Sequence, residues 1–322
     1  MAPRLGFEAA GGMVEKFLPG VNFPVLINAV LPGTLAAIAM FPRVAVNVPT
    51  IFSQEIEKIW PKLILYAIVV VALGGLVSSL NSEFYKIYEG RTFWPRRLKL
   101  RAIALQQARV ERLYAKAEAE KGRNEQEYDE VWYQLRIYPI DTNGKRYARY
   151  PTLLGNILFG YEDYPKDRYG MDAIFYWPRL WLIVSKDNRE EIAKSWAVAD
   201  GLLNLSMVCL IAAMLWAALA TAYTVGFLEA RYVPVRNHAG MTYLAAMGWV
   251  AVAYLFYRLS LPFHRNNGEV FKSLFDLYRE KLTTMTGLAP GEAGRWKAAW
   301  AYLQYLKIRC PKCKALYPIF PF

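Results

Sequence analysis

Four runs with no Asp, Glu, Lys or Arg, at 17–42, 63–82, 201–228 and 237–257, alternate with stretches dense in charge. Each run meets or exceeds the roughly 20 residues a helix needs to cross ~30 Å of hydrocarbon. The pattern predicts an all-α membrane protein with four transmembrane helices and a helical cytoplasmic insertion between spans two and three. It divides the chain into an N-terminal segment with spans one and two (1–82), a cytoplasmic helical domain with interfacial segments (83–198), spans three and four (199–258), and basic cytoplasmic C-terminal helices with a tail (259–322). Pro24, Pro32 and Gly33 interrupt the first run. Proline removes a donor and clashes within a helix, so this run is expected to be a kinked span, with a re-entrant segment as the alternative. The 63–82 run is the cleanest span. Its Gly74, Gly75, Ser78 and Ser79 offer a small-residue face where another helix can approach closely.

Outside the runs the period changes. Residues 44–60 read as a short segment at the outer surface, and Phe84, Ile87 and Tyr88 sit at helical spacing with the composition of an interfacial helix. After Trp94 and Pro95, a long polar helix carries Leu98, Ile103, Leu105, Val110, Leu113 and Tyr114 on one apolar stripe. Residues 121–124 form a turn and 125–135 a second helix, together a helical hairpin. A further turn at 141–144 leads to two aromatic segments with few charges, 150–164 and 172–184. Asp187 is expected to cap the helix that runs into the third span. Beyond the fourth span, 268–282 reads as an amphipathic helix and 291–307 as another.

Charge sets the expected orientation. With four spans, both termini and the insertion share one side, and that side carries 34 of the 39 Lys and Arg residues. By the positive-inside rule it is cytoplasmic. Arg91, Arg96, Arg97, Lys99 and Arg101, just past the second span, are expected to bind anionic lipid headgroups. The net charge of +12 does not signal nucleic acid, because the insertion nearly balances, with 21 basic and 18 acidic residues. The N-terminus lacks the pattern of a cleaved signal peptide.

Candidate chemistry is sparse. The runs hold no buried ionisable group, Asp200, Glu229 and Arg258 lying only at their edges, which disfavours a proton- or sodium-coupled transporter. Asn28 and Asn204 are expected to form interhelical hydrogen bonds. Cys310 and Cys313 have the spacing of half a zinc site and stand as candidate metal ligands, although two free cysteines on a basic tail is the simpler reading. His264 is a candidate further ligand, while His238 is expected on the opposite side of the membrane. No cofactor is expected otherwise. No phosphate loop, HExxH or GxSxG motif orders the Asp, Glu, Ser and Tyr residues, so no catalytic residue is assigned. Glu162, Asp163, Asp167 and Arg168 form the densest polar cluster, more in keeping with an ion-pair turn than with a ligand site.

Several strings resemble an uncharacterised family of bacterial, largely actinobacterial, multi-pass membrane proteins. They are Leu80-Asn81, Ile87-Tyr88-Glu89-Gly90, the Pro-Thr-Leu-Leu-Gly-Asn-Ile-Leu at 151–158, the Arg-Tyr-Gly-Met-Asp-Ala at 168–173 and Trp177-Pro178-Arg179-Leu180. The likeness covers roughly residues 60–230 and excludes the C-terminal extension. It implies a multi-pass topology in a bacterial cytoplasmic membrane and carries no known activity.

The functional expectation is a non-enzymatic integral membrane scaffold or accessory subunit. It would work as a homo-oligomer or as a subunit of a larger membrane complex, with the lipid bilayer and no nucleic acid as partner. Trp177, Trp181, Tyr161 and Tyr164 are the expected interface residues, because aromatic surfaces need covering. An oligomeric channel or passive transporter is the alternative, and a membrane enzyme acting on lipids is a further one.

Overall fold

Pro32 sets the form of the first helix. It has no N–H, and in the turn before it the chain widens into a π-helix, Leu26–Val30, where Leu31 N–H bonds the Leu26 carbonyl. Helix α1 thus consists of Phe23–Val25, this π turn and Leu31–Met40. The structure is a computed structural model and describes residues 23–40, 56–141, 144–227 and 239–286. Cys310, Cys313, His238, Glu229, residues 44–55 and the helix expected at 291–307 lie outside the described residues.

The other helices are α2 (Ile56–Ser79), α3 (Asn81–Glu89), α4 (Arg96–Glu120), α5 (Glu125–Leu135), α6 (Leu153–Glu162), α7 (Tyr164–Tyr169), α8 (Ala173–Ile183), α9 (Lys186–Thr224) and α10 (Ala239–Thr286). Among the described residues the fold is all-α, with one isolated antiparallel bridge between Ile140 and Arg146. Helices α9 and α10 are long and apolar enough to cross a membrane. Helices α2 and α3 pass the same test only as a pair, bent by 50° at Leu80, and α1 is a shorter apolar helix. The 63–82 run therefore does not continue as one straight span.

The chain forms two compact units. One draws on residues 1–86 and 193–263, the other on 87–192 and 264–322. The stretch 264–286 falls in the same unit as the insertion.

In the first unit, glycine lets backbones touch. A Cβ on Gly33 would lie 2.2 Å from the Val70 carbonyl oxygen, and one on Gly74 would lie 2.2 Å from that of Ala29. Helices α1 and α2 pack through this contact, the close approach expected of a small-residue face. Gly75 meets nothing within 4 Å, so only part of that face is used. The outward side of α2 shows Ile64, Leu65, Ile68 and Val71, and that of α10 shows Leu244, Met247 and Val250, all exposed. Such surfaces suit lipid rather than water. Asp200 accepts from Tyr85 and Asn81. The Asn28 and Asn204 side-chain oxygens are buried without a hydrogen-bond partner among the described residues. Ser206 makes an interhelical bond, donating to the Ala253 carbonyl at 2.7 Å.

In the second unit, α4 and α5 form the expected hairpin. Asn124 caps α5 by accepting from Glu127 N–H, and Lys116 pairs with Glu127 at 2.6 Å. Val110, Ala117, Val131, Leu135, Tyr138 and Ala148 make its core. The apolar stripe of α4 is shorter than expected, because Leu98 and Leu105 are exposed. Phe84 is buried rather than interfacial. The cap of α9 is also not Asp187, which lies in the first turn; Ser185 Oγ accepts from Asn188 N–H at 3.4 Å. Residues 268–282 are not a separate helix. They continue α10 through Pro262 without a break.

Candidate functional site

The densest chemistry lies in the second unit, around helix α6. Thr152 caps it, its Oγ accepting from Gly155 N–H at 3.0 Å while its hydroxyl donates to the Tyr88 carbonyl at 2.5 Å. The fully buried Asn156 accepts from the N–H groups of Arg149 and Tyr150 and donates to the carbonyls of Tyr150 and Thr152. Gly90, at φ 81°, lies against Pro151, and a Cβ on Gly155 would lie 2.7 Å from the Glu89 carbonyl oxygen. The 87–90 and 151–158 strings therefore meet in space and act as scaffold.

The end of α6 brings ionisable groups together. Arg91 pairs with Glu89, approaches Glu162 to 3.8 Å and lies over the Tyr150 ring. Burial, and then the Glu89 charge, push the Glu162 carboxyl up to about 7, with Arg91 opposing. This carboxyl changes charge near neutrality, as a general acid or base must.

Beside it opens a polar cleft of about 440 Å³, with walls from the 136–146 segment, α6, α7 and α10. Asp276, on its α10 wall, accepts from Tyr164 at 2.9 and 3.1 Å and from Tyr169 at 2.5 Å. Burial and the Asp276 charge raise the Tyr164 phenol above its usual value, so it stays a donor. Arg279 donates to Tyr169 in turn, at 3.1 Å. On the 136–146 wall, Arg146 Nη1 donates to the carbonyls of Arg136 at 3.1 Å and Tyr138 at 2.6 Å.

The residues expected at interfaces separate into three groups. Arg91 turns inward to the Glu89–Glu162 cluster. Arg96, Arg97 and Arg101 are exposed and Lys99 is half-buried, a disposition open to headgroups. The aromatics pack within their own unit: Trp177 stacks on Phe271 at 4.7 Å, Tyr161 lies 5.1 Å from the same ring, Trp181 adjoins Trp177 at 5.4 Å, and Tyr164 holds Asp276. The bare apolar positions of α8 are instead Ile174 and Leu182, 73% and 74% exposed.

The expected polar cluster is also divided. Glu162 faces Arg91, Asp163 pairs with Lys166 at 3.7 Å, and Asp167 and Arg168 line the cleft. Sequence reading missed Arg136, Arg146, Arg265, Lys272 and Asp276. No local motif marks them, since the fold gathers them from α5, a hairpin and a helix more than 100 residues later. Among the described residues no group of three His, Cys, Asp or Glu is placed to hold a metal ion. No protein-family model, curated protein or solved structure matches the chain.

Proposed function

We propose that this protein is a non-enzymatic membrane scaffold or accessory subunit. Its four apolar runs anchor it, with α1 and the α2–α3 pair counted as spans, and its charged helical unit takes up another protein subunit on the cytoplasmic side. One observation carries the reading. Helix α8 shows Ile174, Pro178 and Leu182 to the outside, four residues apart and so on one face. An apolar stripe of this kind marks a surface that another molecule covers. On the same helix, Trp177 stacks on Phe271 at 4.7 Å and so ties α8 to α10.

The test replaces Ile174 and Leu182 together by Asp. The detergent-solubilised assembly should lose mass while the chain still inserts in the membrane. An assembly of unchanged mass and composition would exclude the stripe as its interface. Trp177→Ala is the poorer test, because it would also remove packing on Phe271.

A membrane enzyme acting on lipids is the second reading, and Glu162 is the observation that favours it. A carboxyl that titrates near neutrality beside an arginine fits general acid–base work. Among the described residues no nucleophile is ordered against it, so the scaffold reading stands first.

A further inference from the structure

Where the cleft meets a narrow neck, cationic side chains outnumber the carboxylates that face them. A narrow neck lined by Arg136, Arg265, Glu269 and Lys272 adjoins the cleft, whose wall also carries Arg146. Arg146 and Arg265 are both half-buried. Among the described residues their hydrogen bonds go to neutral carbonyls: Arg146 to those of Arg136 and Tyr138, and Arg265 to that of Tyr133. One carboxylate faces this group, Glu269, whose charge acts on Arg146 and Arg265 and which also pairs with Lys272 at 2.9 Å. The other acids of the cleft, Asp163, Asp167 and Asp276, do not line the neck. Two of them are engaged elsewhere, Asp163 by Lys166 and Asp276 by Tyr164 and Tyr169.

Like charges brought together repel, the more so where Arg146 and Arg265 are half-buried beside the exposed Arg136, and a carbonyl dipole offsets that only in part. Burial draws the Arg146 guanidinium below its usual value, with Arg136 adding to the effect. An anion seated among the three guanidiniums relieves this repulsion. Guanidinium forks match tetrahedral oxyanions bidentately, and the cleft has the volume of a small-ligand site.

We propose that Arg136, Arg146 and Arg265 form a binding site for a phosphate-bearing anion. The same chemistry occurs in a free phosphate and in a phospholipid headgroup. The site is independent of the α8 stripe, so either proposal can fail alone.

Two probes on the full chain separate the sources. Equilibrium dialysis in neutral detergent reads binding of inorganic phosphate. Native mass spectrometry from discs of mixed phosphatidylglycerol and phosphatidylcholine reads retention of either lipid. Wild-type protein should bind at least one probe: phosphate in the first arm identifies a soluble ligand, and selective retention of phosphatidylglycerol in the second identifies a headgroup. Arg136→Gln should weaken that binding by roughly tenfold, as expected for a lost charge-assisted contact. Arg136→Lys, which keeps the charge, should stay closer to wild type. Arg112→Gln, on the exposed side of α4, should change nothing. Absence of binding in both arms, or an equal loss in Arg112→Gln and Arg136→Gln, would overturn the proposal.

Discussion

Asn156 has no surface exposure, yet its side chain satisfies four backbone groups across the bend that leads into α6. Removing it leaves the N–H groups of Arg149 and Tyr150 without an acceptor in a dry place. Asn156→Ala should therefore cost about 3 kcal/mol, a loss measurable as a lowered thermal midpoint of the solubilised protein. Glu162 makes a different prediction. Its folded value of about 7 lies above the ordinary 4.5, so between those values the folded state holds a proton that the unfolded chain has released. Stability should then fall as pH rises through this window, and stay level below it and above it as far as this group is concerned. Glu162→Gln should flatten the slope of thermal midpoint against pH over that range. A variant with the same slope as wild type would show that the carboxyl titrates normally.

At the scale of helices, packing in the first unit depends on positions with no side chain. The Gly74 Cα hydrogen faces the Ala29 carbonyl, and any larger group there must separate α1 from α2. Gly74→Leu should destabilise that pair by ~1–3 kcal/mol or more, whereas Gly75→Leu, in open space, should be nearly neutral. Comparing detergent resistance of the two variants checks this, and equal effects would count against the contact. The existence of both helices follows from local hydrophobicity, and the α4–α5 hairpin follows from its apolar spacing and the turn at 121–124. The extent of the α4 stripe is not readable, because nothing local tells Val110, which is buried, from Leu105, which is exposed. That difference depends on where α5 and the 136–148 segment lie. The continuity of α10 through Pro262 was equally hidden, since a proline within a helical pattern ordinarily marks its end.

For the whole molecule, orientation is a question of charge. The proposed topology places the hairpin turn at Lys121 in the cytoplasm, because 34 of the 39 basic residues fall on that side when four spans are counted. A cysteine introduced at Lys121 should resist a membrane-impermeant maleimide in intact cells and react once they are opened. Labelling from outside would rule out this arrangement.

Sequence by itself determined the properties that add up along a chain: apolar helices, their alternation with charge, and the α4–α5 hairpin. Each depends on neighbours within a turn or two. Tertiary structure alone decided which aromatics are packed inside and which apolar residues stay bare on α8, so that Trp177 lies on Phe271 while Ile174 and Leu182 face outward. It also decided that Arg136 and Arg146 line one cleft with Asp276, and that Arg265, from a helix far along the chain, lines the adjoining neck with Arg136. Such groupings depend on the register between helices, which is set by many weak contacts at once and leaves no periodic trace in the residues that meet.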